Sequence, residues 1–484
     1  MVNDAAEIVV SKPGGMLSKN VLQSMAVVLF VVAGSVLALS IDTRFVYLLV
    51  YVWFGLAYGM LLQYGRFCMA SAVRDLFAVK VPRMAVGVMI AVALYSVVAA
   101  MVTISGFSTF HPNAMGWHIL IGATIFGFGI VFTGGCASGS LYKAGEGNMN
   151  SMLVIVAISF SQAIVVTASG WWDNLVPQHW IDSAVAKGMP EELSVTKGWF
   201  DIFTAGYVWD LKGATTAELL GAGGTEAGII LYNTVLTAIL PVIVILVALY
   251  LLYYRKSYLR RTKNANPALK DELAGIWAMC TSSRNTAIAG IGLGILAGLH
   301  MYVTGALREH YGIYNFGELL AAMGYTDGLS IQGTVFDPGY WYITTQEAQW
   351  GGWALNKLGV ENMDSIFFGL DNGLPNPLLN APGFMSIGII LGASVMALAR
   401  KEFKWKTPTL ETAFFAIVGG TLMGIGARLA MGCNIGAFFA TVTNGDPSGW
   451  IFLVGMTFGA YLGVKVFTWW MDRAAAKTEA GIGL

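Results

Sequence analysis

Three of the four cysteines in this chain, Cys68, Cys136 and Cys433, lie in short runs of small and polar residues that interrupt apolar sequence. A thiol is a weak hydrogen-bond donor, but its sulfur is soft and polarisable. Weak donors of this kind can contact an anion without holding it tightly. The chain has no CysXaaXaaCys motif, histidine cluster, Walker motif or catalytic triad. We therefore expect no enzymatic activity, no resident metal and no cofactor.

Two of these cysteines occupy equivalent positions in an internal repeat, in which residues 121–139 align without a gap on residues 418–436. The shared positions are Gly122/Gly419, Thr124/Thr421, Gly127/Gly424, Gly129/Gly426, Gly135/Gly432, Cys136/Cys433 and Gly139/Gly436. The glycines taken by themselves can be explained by close helix packing. A single buried cysteine can be explained as a small apolar residue in the core. Packing does not require a thiol in both copies, so the repeat favours a functional role for Cys136 and Cys433.

The polar ends of both copies predict helices that break inside the membrane. Backbone amides at such a break carry partial positive charge that suits an anion. Broken backbone is tolerated at this depth only inside protein or beside a cavity. Besides the cysteines, the predicted pathway residues at the two breaks are Gly135, Gly139, Ser138, Gly432, Gly436 and Asn434.

Two arginines are candidates for attracting or releasing the anion. Arg428 lies within an apolar run, where an arginine is costly and faces a cavity or a partner. The alternative for Arg428 is a structural pairing with Glu411 or a loop carbonyl. Arg66 precedes Cys68 by two residues and is placed to release the anion at the cytoplasmic mouth. A basic residue beside a span also serves simply to orient the protein.

The composition indicates an integral membrane protein, because hydrophobic residues make up 56% of the 484 residues and charged residues only 12%. Soluble proteins contain about 25% charged residues. Ten apolar runs are long enough to be spans. They lie near 21–40, 45–62, 84–105, 117–134, 150–170, 227–252, 285–303, 383–399, 409–430 and 449–470. The 28 basic and 28 acidic residues give no net charge that would indicate nucleic acid as a partner.

The basic clusters follow alternate spans and agree on one side, which predicts a multi-pass membrane protein with both termini in the cytoplasm. In this topology the two repeat copies run in opposite directions, an architecture typical of transporters. The predicted fold is therefore an all-α polytopic membrane protein of about ten spans, with an inverted-topology repeat and re-entrant broken helices. Membrane lipid is its expected surroundings.

The predicted organisation follows from these spans. It comprises an N-terminal helix (1–44), a first transmembrane repeat (45–170), an external insertion (171–225), a linker helix with a basic cytoplasmic loop (226–284), a second repeat (285–303 and 383–470) interrupted by another external insertion (304–382), and a cytoplasmic tail (471–484). A weaker similarity between residues 70–75 and 304–309 places Tyr302 where the first half has Cys68.

The chain resembles the YeeE/YedE family of bacterial inner-membrane proteins, whose characterised activity is thiosulfate uptake. The resemblance rests on RFCMASAVRD at 66–75, GGCASGSLYKAGEGN at 134–148 and GCNIGAFFATVTNGD at 432–446. It implies an hourglass of helices with loops meeting at the centre and three pathway cysteines, which map to Cys68, Cys136 and Cys433. It also implies a cytosolic sulfur-transfer protein as a partner. Sulfite, sulfide or a selenium oxyanion are alternative substrates, and Cys280 matches no family motif.

A membrane redox protein is the alternative from another class of function. His118 and His300 both lie near predicted external ends of helices, and histidine pairs ligate haem. A thiol–disulfide protein needs neighbouring cysteines, whereas the cysteines here are predicted to fall on opposite faces of the repeat.

Overall fold

The computed structural model describes residues 19–107, 117–167, 225–263, 266–313, 319, 322–324, 343–360, 381–430 and 432–479. The helices are α1 (Lys19–Ile41), α2 (Val46–Gly65), α3 (Met69–Ala78), α4 (Arg83–Ile104), α5 (Trp117–Thr133), α6 (Ala137–Gly145), α7 (Met149–Thr167), α8 (Glu226–Thr262), α9 (Leu269–Cys280), α10 (Arg284–Tyr311), α11 (Ile343–Lys357), α12 (Ala381–Ala399), α13 (Leu410–Leu429), α14 (Asn434–Thr443) and α15 (Ser448–Glu479). Two stretches of α8 and most of α14 have π-helical hydrogen bonding.

The predicted all-α, polytopic class is confirmed. Within the described ranges, nine helical segments are long and apolar enough to cross a membrane. The remaining predicted span, 150–170, corresponds to α7, whose apolar part Met149–Val165 is shorter. The β-pairing in the described chain is one isolated bridge, between Asn148 and Lys406.

The helices form four units, each consisting of a long helix, a short helix and a second long helix. These units are α2–α3–α4, α5–α6–α7, α10–α11–α12 and α13–α14–α15. Helices α3, α6 and α14 each begin a few residues after a long helix ends, as expected for broken or re-entrant segments. Helices α2 and α12 pack together, as do α4 and α10, α5 and α15, and α7 and α13. These are the pairs that an exchange of the two halves would generate.

Helices α5 and α13 cross at the glycines of the sequence repeat. A Cβ atom at Gly129 would lie 2.6 Å from the carbonyl oxygen of Gly419, and one at Gly426 would lie 2.6 Å from the carbonyl oxygen of Gly122. Gly122 aligns with Gly419 and Gly129 with Gly426, so the contact is reciprocal, as two-fold related elements require. The inverted repeat stays a prediction, and this packing is consistent with it.

Part of the predicted external insertion 304–382 forms helix α11, and its location relative to the membrane stays a prediction. Residues 343–357 are a helix that packs against α7, and Ile343 and Glu347 are fully buried. Helix α10 also continues to Tyr311, so Tyr302 lies within a helix and is 45% exposed. Tyr302 is therefore not the counterpart of Cys68. By position in its unit, the start of α11 is that counterpart.

The other domain boundaries stay predictions. Residues 1–18 of the N-terminal segment and nearly all of the predicted insertion 171–225 lie outside the described residues. Helix α15 continues to Glu479, past the predicted end of the second repeat at residue 470. The assignment of loops to the two sides of the membrane stays a prediction.

Candidate functional site

All three cysteines of the predicted pathway stand immediately before a short helix. Cys68 precedes α3, Cys136 precedes α6 and Cys433 precedes α14, each with extended backbone. Cys136 has φ −84° and ψ −177°, and Cys433 has φ −87° and ψ −178°. The two breaks therefore have nearly the same local geometry. A side chain in this N-cap position lies beside the unpaired amides of the first helical turn, which form the positive end of the helix.

Each cysteine sulfur lies close to the backbone amide three residues further along. The amide of Gly139 donates a hydrogen bond to Cys136 Sγ at 3.4 Å. The amides of Ser71 and Gly436 interact electrostatically with the sulfurs of Cys68 and Cys433. The three sites are thus versions of one arrangement, a thiol held at the end of a helix where backbone donors are available.

Cys68 and Cys136 form one cluster, since their Sγ atoms lie 3.9 Å apart and both residues are buried. The prediction that the cysteines fall on opposite faces of the repeat is wrong for this pair, because the breaks before α3 and α6 meet. A Cβ atom at Gly139 would lie 2.8 Å from Cys68 Sγ and 3.3 Å from Cys136 Sγ. Only glycine leaves room for both sulfurs at this position.

Asn434 connects the second repeat copy to this cluster. Its Nδ2 atom lies 3.6 Å from Cys136 Sγ, and the residue is fully buried. Asn434 Oδ1 has no hydrogen-bond partner among the described residues. Ser138 Oγ, two residues along the chain from Cys136, lies 3.4 Å from Cys136 Sγ. The residues that the sequence singled out around Cys136 and next to Cys433 therefore meet in the buried interior.

The remaining predicted glycines shape the two breaks. Gly432 has φ +155° and Gly134 has φ +67°, both conformations that favour glycine. A Cβ atom at Gly135 would lie 3.5 Å from Lys143 Nζ. The carbonyl oxygen of Gly436 accepts a hydrogen bond from Thr441.

The two predicted arginines differ in their surroundings. Arg66 pairs with Glu402 across 3.5 Å, and its side chain is 70% exposed. Arg428 is half-buried in the last turn of α13, whereas Glu411 lies in the first turn of that 20-residue helix. A helix of this length spans about 30 Å. The alternative pairing of Arg428 with Glu411 is therefore wrong.

Lys143 is a site residue that was not among those predicted from the sequence. Its ammonium donates a hydrogen bond to the carbonyl of Gly134 and interacts electrostatically with Cys68. Lys143 lies seven residues, about two helical turns, after the N-cap residue Cys136, and this spacing is the signal that the sequence contains. Nearby, burial raises the pKa of Glu146 above its usual range, opposed by Lys143, Lys406 and Arg66.

Helix α11 contributes two further residues that the sequence reasoning missed. Thr344 provides a side-chain hydrogen bond to Cys433, and Glu347 interacts electrostatically with the same thiol. Both are buried. The feature of the sequence that could have identified them is the acidic residue Glu347 close to tryptophan and glycine residues.

His300, one of the two histidines considered for haem, is a core residue. Its ring stacks on Phe54 with centroids 4.6 Å apart, and its Nδ1 atom lies 3.4 Å from the hydroxyl of Tyr58. The ring of Tyr51 packs edge-on against it. His118 is buried in the first turn of α5. Within the described ranges, no group of three or more His, Cys, Asp or Glu residues could hold a metal ion.

Comparison with known proteins identifies transporters. A family model for sulphur transport matches residues 64–462, a range that includes Cys68, Cys136 and Cys433. The thiosulfate transporter TsuA of Escherichia coli strain K12 is 25% identical over 408 residues, 84% of this chain and 91% of that protein. TsuA of Spirochaeta thermophila is 27% identical over 413 residues, 83% of this chain and 94% of that protein. A probable transporter, YedE of Escherichia coli, is 32% identical over 127 residues, 26% of this chain and 32% of that protein.

Proposed function

This chain belongs to the sulphur-transport family, and on that premise we propose that it carries thiosulfate inward across the bacterial inner membrane. It is a multi-pass membrane protein that transports sulfur compounds, and its relatives are transporters rather than enzymes. The observation that carries the more specific proposal is the 3.9 Å separation of the Cys68 and Cys136 sulfurs beside the Asn434 amide.

The physical difficulty for such a transporter is desolvation of a dianion. Moving an isolated charge into a medium of low dielectric costs tens of kcal/mol unless protein groups replace its water. Helix N-termini provide this replacement through backbone amides and the helix dipole. Cys68, Cys136 and Cys433 each stand at such an end. The anion would move from one helix end to the next and remain in contact with donors.

The thiols contribute selectivity for the sulfur end of the anion. A dianion beside a thiol disfavours a second negative charge, so the cysteines act as neutral, weak donors and not as nucleophiles. A soft sulfur suits the terminal sulfur of thiosulfate better than an oxygen does, and weak contacts permit release. Ser138 and Asn434 add polar contacts beside Cys136.

The direction follows from the predicted orientation of the chain. With the basic clusters and both termini in the cytoplasm, Cys433 belongs to the outer half of the pathway and Cys68 and Cys136 to the inner half. Arg428 then attracts the anion toward the outer half, and Arg66 lies at the inner mouth, where the anion leaves. A cytosolic sulfur-transfer protein that consumes thiosulfate would keep the gradient inward, and membrane lipid surrounds the exposed apolar helices.

Uptake by proteoliposomes tests this function. Vesicles that contain the protein are expected to accumulate sulfur-labelled thiosulfate saturably, whereas sulfate, a dianion without a terminal sulfur, should compete weakly. Sulfite and selenite are compared as competitors, because the same thiols would accept them. Uptake no greater than in protein-free vesicles, or equal competition by sulfate, would overturn the proposal. A Soret band in the purified protein would instead support the redox alternative.

A further inference from the structure

Glu347 is a buried carboxyl group that the transport scheme above does not use. It lies on the short helix α11, and its relative exposure is 0%. Neither carboxyl oxygen has a hydrogen-bond partner among the described residues. The side-chain amide of the preceding residue, Gln346, is likewise buried and without a partner in the described chain. Buried polar groups are normally hydrogen-bonded. These two side chains therefore indicate a place where a polar ligand could supply the missing hydrogen bonds.

This carboxyl group lies beside the outer pathway cysteine. Glu347 interacts electrostatically with Cys433, and Thr344, one helical turn earlier on α11, hydrogen bonds to the same thiol. Residues three apart on a helix share a face, so Thr344 and Glu347 lie on the side of α11 that faces the break before α14. An anion held at Cys433 would therefore be next to the Glu347 carboxyl.

Among the residues that the structure describes, no charged group is paired with Glu347. The helices packed against α11 are α6, α7, α12 and α13. Of these, α7 and α12 contain no charged residue. The titratable or charged residues on the other two are Tyr142 and Lys143 on α6 and Glu411 and Arg428 on α13. None of these groups hydrogen bonds to the Glu347 carboxyl. A buried, unpaired carboxylate is very costly, so the protonated form is favoured.

We propose that Glu347 is a proton-binding site coupled to the anion, such that the outer cysteine accepts the dianion only while Glu347 carries a proton. The protonated carboxyl has one O–H donor, which can hydrogen bond to an oxygen of the anion. The ionised carboxylate accepts hydrogen bonds only and would repel the dianion across a low-dielectric site. Anion and proton therefore favour each other's binding reciprocally. This inference rests on the proposed function and adds a pH dependence to it.

The sign of the pH effect follows from this coupling. Thiosulfate, the anion of a strong acid, stays a dianion at neutral and alkaline pH, so its own titration is not involved. As the pH rises and Glu347 loses its proton, anion affinity falls up to about tenfold per pH unit. Because burial already favours the neutral carboxyl, the loss should begin well above pH ~4.3, the ordinary value for glutamate.

The test is labelled thiosulfate uptake by proteoliposomes whose internal and external pH are equal, followed from about pH 6 to about pH 9. The wild type is expected to lose uptake as the pH rises, with a limiting slope of about tenfold per pH unit. Glu347→Gln keeps a neutral donor, so it should transport with a nearly flat profile. Glu411→Gln is the matched control, since this exposed glutamate on α13 should leave the wild-type profile unchanged.

A second measurement keeps the proposal testable if Glu347→Gln does not fold. Calorimetric titration of the wild type with thiosulfate in two buffers of different ionisation enthalpy measures net proton uptake on binding, which is expected at alkaline pH. Wild-type transport with a flat profile, a pH profile unchanged in Glu347→Gln, or binding without proton uptake would overturn the inference and leave the transport function standing. Absence of any wild-type uptake would overturn both.

Discussion

The sulfur atoms of Cys68 and Cys136 lie 3.9 Å apart, although 68 residues separate them in the chain. Each cysteine ends a break between a long and a short helix, and the packing of the first two units brings these breaks together. The separation is greater than a disulfide bond of about 2.05 Å but close enough for one thiol to contact the other. A sulfur-bearing anion at this point would meet two thiols at once.

Oxidation of this pair should close the pathway. Treatment of the wild type in vesicles with copper phenanthroline is expected to join Cys68 to Cys136 and to reduce thiosulfate uptake to background, because neither sulfur can then donate. A reducing agent should restore uptake, and peptide mapping identifies the bond. The Cys280→Ser variant should respond like the wild type. Oxidant sensitivity that persists in Cys68→Ser would assign the effect to other residues.

Gly139→Ala should block transport from within the cysteine cluster. The added Cβ atom would lie 2.8 Å from Cys68 Sγ, so the sulfurs must move apart, and overpacking of this kind costs about 1–3 kcal/mol of stability. Gly34→Ala is the control, since nothing lies within 4 Å of its Cβ position on α1. Uptake and thermal unfolding are measured for both variants. Normal uptake by a folded Gly139→Ala protein would contradict the assigned position of the pathway.

Asn434 should affect the anion through its amide. Asn434→Ala removes the group that lies 3.6 Å from Cys136 Sγ, and the lost hydrogen bond to a charged ligand, worth about 1.5–3 kcal/mol, should raise KM by at least about tenfold. Asn434→Asp should lower uptake further, because a carboxylate at this buried position repels the dianion. Concentration-dependent uptake gives KM for each variant. Equal KM values in all three proteins would exclude contact between Asn434 and the anion.

Arg66→Ala should have an effect that depends on salt. The Arg66 side chain is 70% exposed and its ion pair with Glu402 is 3.5 Å long, so stability should change by less than about 1 kcal/mol. Uptake should fall at low ionic strength and approach the wild-type rate at high salt, where exposed charges are screened. Arg473→Ala, on α15 and stacked on Trp469, serves as the control. A loss independent of salt would indicate a structural role for Arg66.

The sequence predicted the helical class and the breaks at Cys136 and Cys433, because both depend on local features. Apolar runs mark the spans, and glycine next to a small polar run marks the point where a helix stops. The nearly identical backbone angles of Cys136 and Cys433 are consistent with the sequence repeat. The alternative that Arg428 pairs with Glu411 is excluded by helix length, since residues at opposite ends of one helix cannot meet.

The contacts between units could not be predicted in the same way. Nothing in the residues around Cys68 specifies which other break it will meet, because that depends on how α2, α3, α5 and α6 pack. Helix α11 was missed because Gln346, Glu347 and Gln349 lower its hydropathy and resemble an exposed segment. Its burial comes from packing against α7, which no local pattern reveals.

The most direct test of the account replaces the sulfurs that are proposed to carry the anion. Thiosulfate uptake is measured in vesicles that contain equal amounts of folded wild type, Cys136→Ala, Cys433→Ala and the control Cys280→Ala. The account predicts uptake near background for the first two variants and normal uptake for the control. Wild-type rates in Cys136→Ala and Cys433→Ala would contradict it.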